Sequence, residues 1–287
     1  MISTSKSGRR RAPRSASGAS RPGELRETVQ SIAVALLVAL AIKTLLFQPF
    51  TIPSASEEPN LYEGDYVVVS KWPYGYSHHS ILFSPPLFKG RVLFNPPRRG
   101  DVIVFKLPSS GHVDYIKRLV GLPGDRLQVR GGRLYINGRP LAVTPDKTVT
   151  VDDRLVSEQA SWRWETNPEG RRYLNQIHGA GAEAADNTGV YVVPPHCYFM
   201  MGDNRENSLD SRFDPGLAPD DPRLGGCGWD SRVDGYLPPE AGVGFVPEEN
   251  LVGRAEIVLL SWNKGASIFK PWTWLDLRGN RFLRPIR

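Results

Sequence analysis

"DVIVFKLPSSGHVDYIKRLV", residues 101–120, holds two short runs of β-branched and aromatic residues parted by Pro, Ser and Gly. Runs of this length and make-up, bounded by turn-forming residues, read as β-strands. The same signature recurs in "DYVVVSKW" (65–72), "RLQVRGGRLYING" (126–138), "GVYVVPP" (189–195), "CYFMMG" (197–202) and "AEIVLLSW" (255–262). The Gly131–Gly132 pair between apolar runs marks a hairpin. Few helical signals and no internal repeat accompany these runs, so the pattern predicts a mostly-β body built from antiparallel sheet. Two stretches stand apart from it. Residues 72–99 are aromatic and proline-rich without a clear period, and residues 213–243, rich in Gly, Pro and Asp, read as a long inserted surface loop.

Upstream of the strands lies "TVQSIAVALLVALAIKTLLF" (28–47), uninterrupted and apolar from Ile32 to Ile42. A helix needs about 20 mostly apolar residues to span a bilayer. This segment reaches that length if Lys43 snorkels its ammonium to the interface. Residues 1–26 carry seven basic side chains against one acid, so the whole net charge of +6 sits there. The charge-balanced remainder argues against a nucleic-acid-binding body, and the Ser/Gly/Arg-rich tail, 1–27, reads as disordered. A cleaved secretory signal or a buried core helix would fit this tail less well than a retained anchor. Basic flanks stay on the cytoplasmic side, so the expectation is a single-pass plasma-membrane protein with its N-terminus inside and residues 48–287 outside, on the periplasmic face. Trp272 and Trp274, alternating with Lys270 and Arg278, suit a membrane interface; Trp262 fits a strand equally well. Cys197 and Cys227 can pair in an oxidising compartment or remain two free thiols. The five histidines are scattered, and no metal-ligand spacing is present.

Directly after the apolar segment comes "FTIPSASEEPNLYEGDY" (50–66), with Ser54 and Ser56 one residue apart between Pro53 and Pro59. A serine attacks only if a base removes its proton. No histidine lies in a suggestive motif, which leaves a lysine kept neutral by burial. Strand alternation puts Val113, Tyr115, Lys117 and Leu119 on one face. Lys71 and Lys106 also end strand-like runs, and spacing alone leaves all three lysines open.

Four blocks, in order, are similar to bacterial type I signal peptidases, membrane-bound serine–lysine proteases. They are "FTIPSAS", "EGDYVVVSKWPYG", "RGDVIVFKLP" running on to "DYIKRLVGLPGD", and "MMGDNRENSLDSR" followed by "GFVPEENLVGRAEIVLLSW". The resemblance implies a barrel-like antiparallel catalytic domain of the repressor-protease and signal-peptidase kind, preceded by one transmembrane helix. It implies Ser56 as nucleophile and Lys117 as general base, with Ser54 completing an oxyanion hole and Ser208 orienting the lysine. Phe50, Ile52, Pro53, Leu61, Val67, Tyr115 and Ile116 match the pocket that admits small residues. Asp203, Arg205, Asp210 and Arg212 match structural positions, Asp210 and Arg212 as an ion pair. No cofactor is implied; the partners are signal peptides of exported precursors and the lipid bilayer, the state a monomer. The chain departs from the family at Glu57, where methionine is usual, and at Asn60, where threonine is usual. A carboxylate beside Lys117 would favour the ammonium, so Glu57 either points to solvent, moves the working pH upward or impairs catalysis. The alternatives are a catalytically impaired signal-peptide-binding relative and a peptidase specialised for one secretion or conjugation precursor. A Cys197–Cys227 disulfide would tether the insertion near the active site.

Overall fold

The computed structural model describes residues 22–81, 83–153, 156–179, 183–228, 237, 242–263, 265–266 and 270–286. The expected basic tail lies outside the described residues as far as residue 21. The chain divides into two compact units, Met1–Ala41 and Ile42–Arg287. A single helix, α1 (Pro22–Leu45), covers the apolar segment. It starts six residues before residue 28, at a proline, a residue suited to a first helical turn. Its Leu25–Leu45 stretch has a mean hydropathy of 1.9, and none of it is buried in the protein. Leu25, Val29, Leu36, Leu37 and Ile42 are all exposed. A helix apolar on every side belongs in apolar surroundings, and at about 1.5 Å per residue this one is long enough to cross a hydrocarbon core.

The second unit is mostly β. Its main strands are β1 (Phe47–Thr51), β2 (Asp65–Ser70), β3 (Val102–Lys106), β4 (Asp114–Gly121), β5 (Arg126–Arg130), β6 (Arg133–Ile136), β7 (Ala142–Asp153), β8 (Val156–Thr166), β9 (Arg172–Ile177), β10 (Cys197–Met201) and β11 (Leu251–Ser261). The largest sheet runs β1-β2-β11-β3-β4-β10, antiparallel throughout, with two-residue strands Val246–Pro247 and Arg284–Pro285 added to β10 and β11. Strand β11 gives its first residues to β3 and the rest to β2, with bulges in both pairings. Bulges bend a strand and increase its twist, and here they curl the sheet into a half-barrel. Two smaller sheets hold β5 and β6, and β7, β8 and β9. The expected hairpin is β5–β6: Arg130 faces Arg133 across Gly131 and Gly132, whose φ values of 53° and 68° suit a two-residue turn.

Alternation along the strands supplies the core. Ile52, Leu61, Val67, Val69, Val102, Val104 and Val258 form one cluster, with Phe50 and Ile116 packed against it. A second gathers Leu127, Val129, Leu134, Tyr191, Phe199 and Phe245. The insertion is not wholly a surface loop. Leu224 and Cys227 are fully buried in this second cluster, and a disulfide joins Cys227 to Cys197 of β10. One apolar side chain and one cross-link turn the described part of residues 213–228 inward.

Candidate active site

Strand β1 ends at Thr51, and Pro53 closes the extended run. Ser54 remains extended, at φ −140° and ψ 160°, but Ala55–Glu57 form one turn of 3-10 helix, closed by a bond from Glu58 N–H to the Ala55 carbonyl. Ser56 thus projects from a turn and not from an extended strand. The turn still brings the Ser54 and Ser56 hydroxyls to 3.3 Å. Among the three lysines, Lys117 of β4 reaches them: its Nζ lies 2.5 Å from Ser56 Oγ, and its side chain is buried. Lys71 instead donates to the Ser80 carbonyl, and Lys106 to the His112 carbonyl with Asp114 alongside.

The loop after β10 clamps this turn. Asn204 N–H donates to the Ser56 carbonyl at 3.1 Å, and its side-chain amide donates to the Ala55 carbonyl at 3.2 Å. Gly202 makes the approach possible: a Cβ there would meet Ser208 Oγ at 2.3 Å and the Ser56 carbonyl oxygen at 2.5 Å. Ser208 sits in the same cleft, buried, with no hydrogen-bond partner for its hydroxyl.

Buried ion pairs hold the loop. Arg118, next to Lys117 on β4, forms a two-pronged pair with Asp203 at 2.7 Å in each arm. Arg205 pairs with Glu165 of β8. Asp210 accepts from Arg212 Nε at 2.8 Å and from Gly202 N–H at 3.0 Å, while Arg212 also donates to the Arg205 carbonyl. Burial pushes the Asp210 carboxyl up, but the Arg212 guanidinium outweighs it and holds the group below its ordinary value. Asn60 donates to Asp203 at 2.7 Å and to the Leu174 carbonyl at 2.6 Å, so it joins this framework. Arg118, Glu165, Gly202 and Asn204 had not been singled out. Gly202 and Asn204 stand within the quoted "GDNR", whereas Arg118 and Glu165 matter through pairings between distant segments.

Glu57 does not point to solvent. It is 1% exposed, with Oε1 3.6 Å from Lys117 Nζ, and neither carboxyl oxygen has a hydrogen-bond partner. Burial pushes its carboxyl well above the usual range; Asp203 adds to the rise, while Lys117 and Arg118 oppose it.

A cleft of about 830 Å³ opens over Ser54, Ser56, Lys117 and Ser208. Pro53, Tyr115 and Ile116 line one side; Leu209, Phe213 and Leu237 are also in its wall, the last two from the insertion. Of the other expected pocket residues, Ile52, Leu61 and Val67 are buried in the core cluster against which Phe50 packs. They belong to that core and are not in the cleft wall, because inward-facing strand positions pack against one another. Among the described residues no group of three His, Cys, Asp or Glu side chains is placed to hold a metal ion.

Over residues 25–262 the sequence matches the signal peptidase family, peptidase S26. The chain belongs to that family. Signal peptidase I of Rickettsia typhi is 34% identical over 266 residues, 86% of this chain and 89% of its own. Signal peptidase I of Rickettsia akari is 33% identical over 272 residues, 88% and 90% of the two chains. A solved signal peptidase I from Enterococcus faecalis is 24% identical and covers 56% of this chain and 97% of its own, with a TM-score of 0.27, too low to carry weight. Family membership makes this chain a serine endopeptidase that removes signal peptides. In this peptidase the cleft, the paired serines and Lys117 lie together, on segments drawn from residues 53–56, 113–117 and 206–209.

Proposed function

We propose that Ser56 is the nucleophile and Lys117 the general base of a membrane-anchored endopeptidase that cleaves signal peptides from exported precursors. The 2.5 Å separation of Lys117 Nζ and Ser56 Oγ, inside a cleft wide enough for a peptide, carries this reading. Ser56 Oγ attacks the carbonyl carbon before the scissile bond, and its proton passes to Lys117 Nζ. The carbonyl electron pair moves onto oxygen, where the Ser54 hydroxyl is placed to donate. As the tetrahedral centre collapses, the ammonium returns its proton to the departing amine, leaving an ester on Ser56. Water, deprotonated by Lys117, repeats the sequence and frees the signal peptide's carboxylate. Donors aimed at a developing oxyanion typically contribute a few kcal/mol. Ser208, with an unpartnered buried hydroxyl in the cleft, is suited to orient Lys117 once substrate closes the site. The apolar walls at Pro53, Tyr115 and Ile116 favour small uncharged residues beside the cleaved bond.

In this reading α1 is a retained anchor, the basic tail stays in the cytoplasm, and the β body works outside as a monomer at the membrane surface. Exposed apolar side chains support the last point: Phe83, Leu93 and Trp272 are 88%, 78% and 79% exposed. The test is cleavage of a precursor by full-length enzyme in vesicles. Ser56→Ala and Lys117→Ala are each expected to lower kcat/KM by about 10³-fold or more, and Ser54→Ala by about 10²-fold. Equal cleavage by wild type and Ser56→Ala would overturn Ser56 as the nucleophile; no cleavage by either would leave a signal-peptide-binding role.

A further inference from the structure

Glu57 is the buried ionisable group at the site that catalysis by Ser56 and Lys117 does not use. The charges facing it come from two elements: Lys117 and Arg118 of β4, and Asp203 and Asp210 of the loop after β10. Arg118 is matched by Asp203 and Arg212 by Asp210. The net charge at the centre therefore depends on the protons held by Glu57 and Lys117. Two protons leave +1, none leaves −1, and one leaves the pair neutral. The two groups are not equally placed to carry a charge: Lys117 borders the cleft, whereas the Glu57 carboxyl is enclosed and no donor of the protein reaches either of its oxygens. An ionised carboxyl there would be a buried charge without a hydrogen bond, 3.6 Å from Lys117 Nζ, whereas the protonated acid is uncharged.

We infer that the Glu57 carboxyl keeps its proton throughout catalysis, so that no negative charge stands beside Lys117 while it serves Ser56. The inference rests on the Ser56–Lys117 reading above. Burial and the Asp203 charge act in its favour by holding the Glu57 proton tightly. Glu57 is then a positioning residue: its proton stays in place while the Ser56 proton travels to Lys117 and on to the leaving amine. The carboxyl that threatened the lysine as a base becomes harmless by being neutral.

The test is the pH dependence of kcat/KM for full-length wild type, Glu57→Gln and Glu57→Met, beside Ser56→Ala. In the variants the acid limb of kcat/KM is expected to stay within about 0.5 pH unit of wild type. An ionised neighbour would have held that limb about 1–3 units higher. The alkaline decline of wild type, where Glu57 loses its proton and leaves a charge beside the oxyanion, is expected to vanish in both variants. An acid limb moved down by more than a unit, or an alkaline decline that persists, overturns the inference. Should neither variant fold, the infrared spectrum of wild type decides: a protonated-carboxyl band at neutral pH that fades at alkaline pH supports it, and no such band overturns it. An active Ser56→Ala enzyme overturns the catalytic reading beneath; an inactive one with either contrary profile overturns the inference alone.

Discussion

Glu57 and Gly202 pose opposite problems at the same few ångströms of the site, one an ionisable group that is enclosed and the other a side chain that cannot be added. A carboxyl whose proton is bound more tightly in the folded than in the unfolded chain stabilises the fold most below its ordinary value. That contribution is lost as pH rises toward the folded value. Glu57 is shifted in this direction by burial. Glu57→Gln is therefore expected to raise the melting temperature at about pH 8 and change it little at about pH 4, below the ordinary glutamate value. The gain comes from the proton that the folded chain must keep and the unfolded chain has lost, about 1.4 kcal/mol for each pH unit above the ordinary glutamate value, and melts at the two pH values measure it. Ser54, Ser56 and Lys117 were singled out by the resemblance carried in four short motifs. The enclosure of Glu57 was not, because it depends on β4 and the loop after β10 closing over a turn some sixty and one hundred and fifty residues away. The 3-10 turn at Ala55–Glu57 was not legible either, since it rests on local backbone bonds that strand periodicity does not encode.

Among the elements, the insertion changes most between sequence and fold. Its Gly- and Pro-rich composition pointed outward, yet Leu224 and Cys227 are core, and Arg223 donates to the Ser109 carbonyl. Phe213 and Leu237, bridged to each other, reach the substrate cleft. The disulfide closes a separation of 30 residues, for which chain entropy gives about 3–4 kcal/mol. Wild type is expected to melt lower under reductant, while Cys227→Ser melts low with or without it. If the cross-link also holds the cleft wall, reduction should raise KM for precursor more than it lowers kcat. An unchanged KM would confine the disulfide to stability. Strands β3, β4, β10 and β11 were legible because each is a short apolar run between turn formers; their order in the sheet was not, since β11 inserts between β2 and β3.

For the whole molecule, the proposed topology, with the N-terminus inside and the body outside, can be tested directly. Disulfides persist outside the reducing cytoplasm, and the sequence ahead of α1 is rich in arginine, the flank that stays on the cytoplasmic side. Protease added to intact spheroplasts is expected to degrade the body beyond residue 47 and spare an N-terminal fragment; a body that survives until lysis would reverse the orientation. Local chemistry alone determined the apolar segment, the β character of the body, the hairpin at Gly131–Gly132 and the motif residues, since each is written within a dozen neighbouring positions. Tertiary structure alone decided how close Lys117 stands to Ser56, whether the cysteines join, and how deeply Glu57 is enclosed. These are distances between residues far apart in the chain, and the packing of β4 and the loop after β10 around one turn sets them.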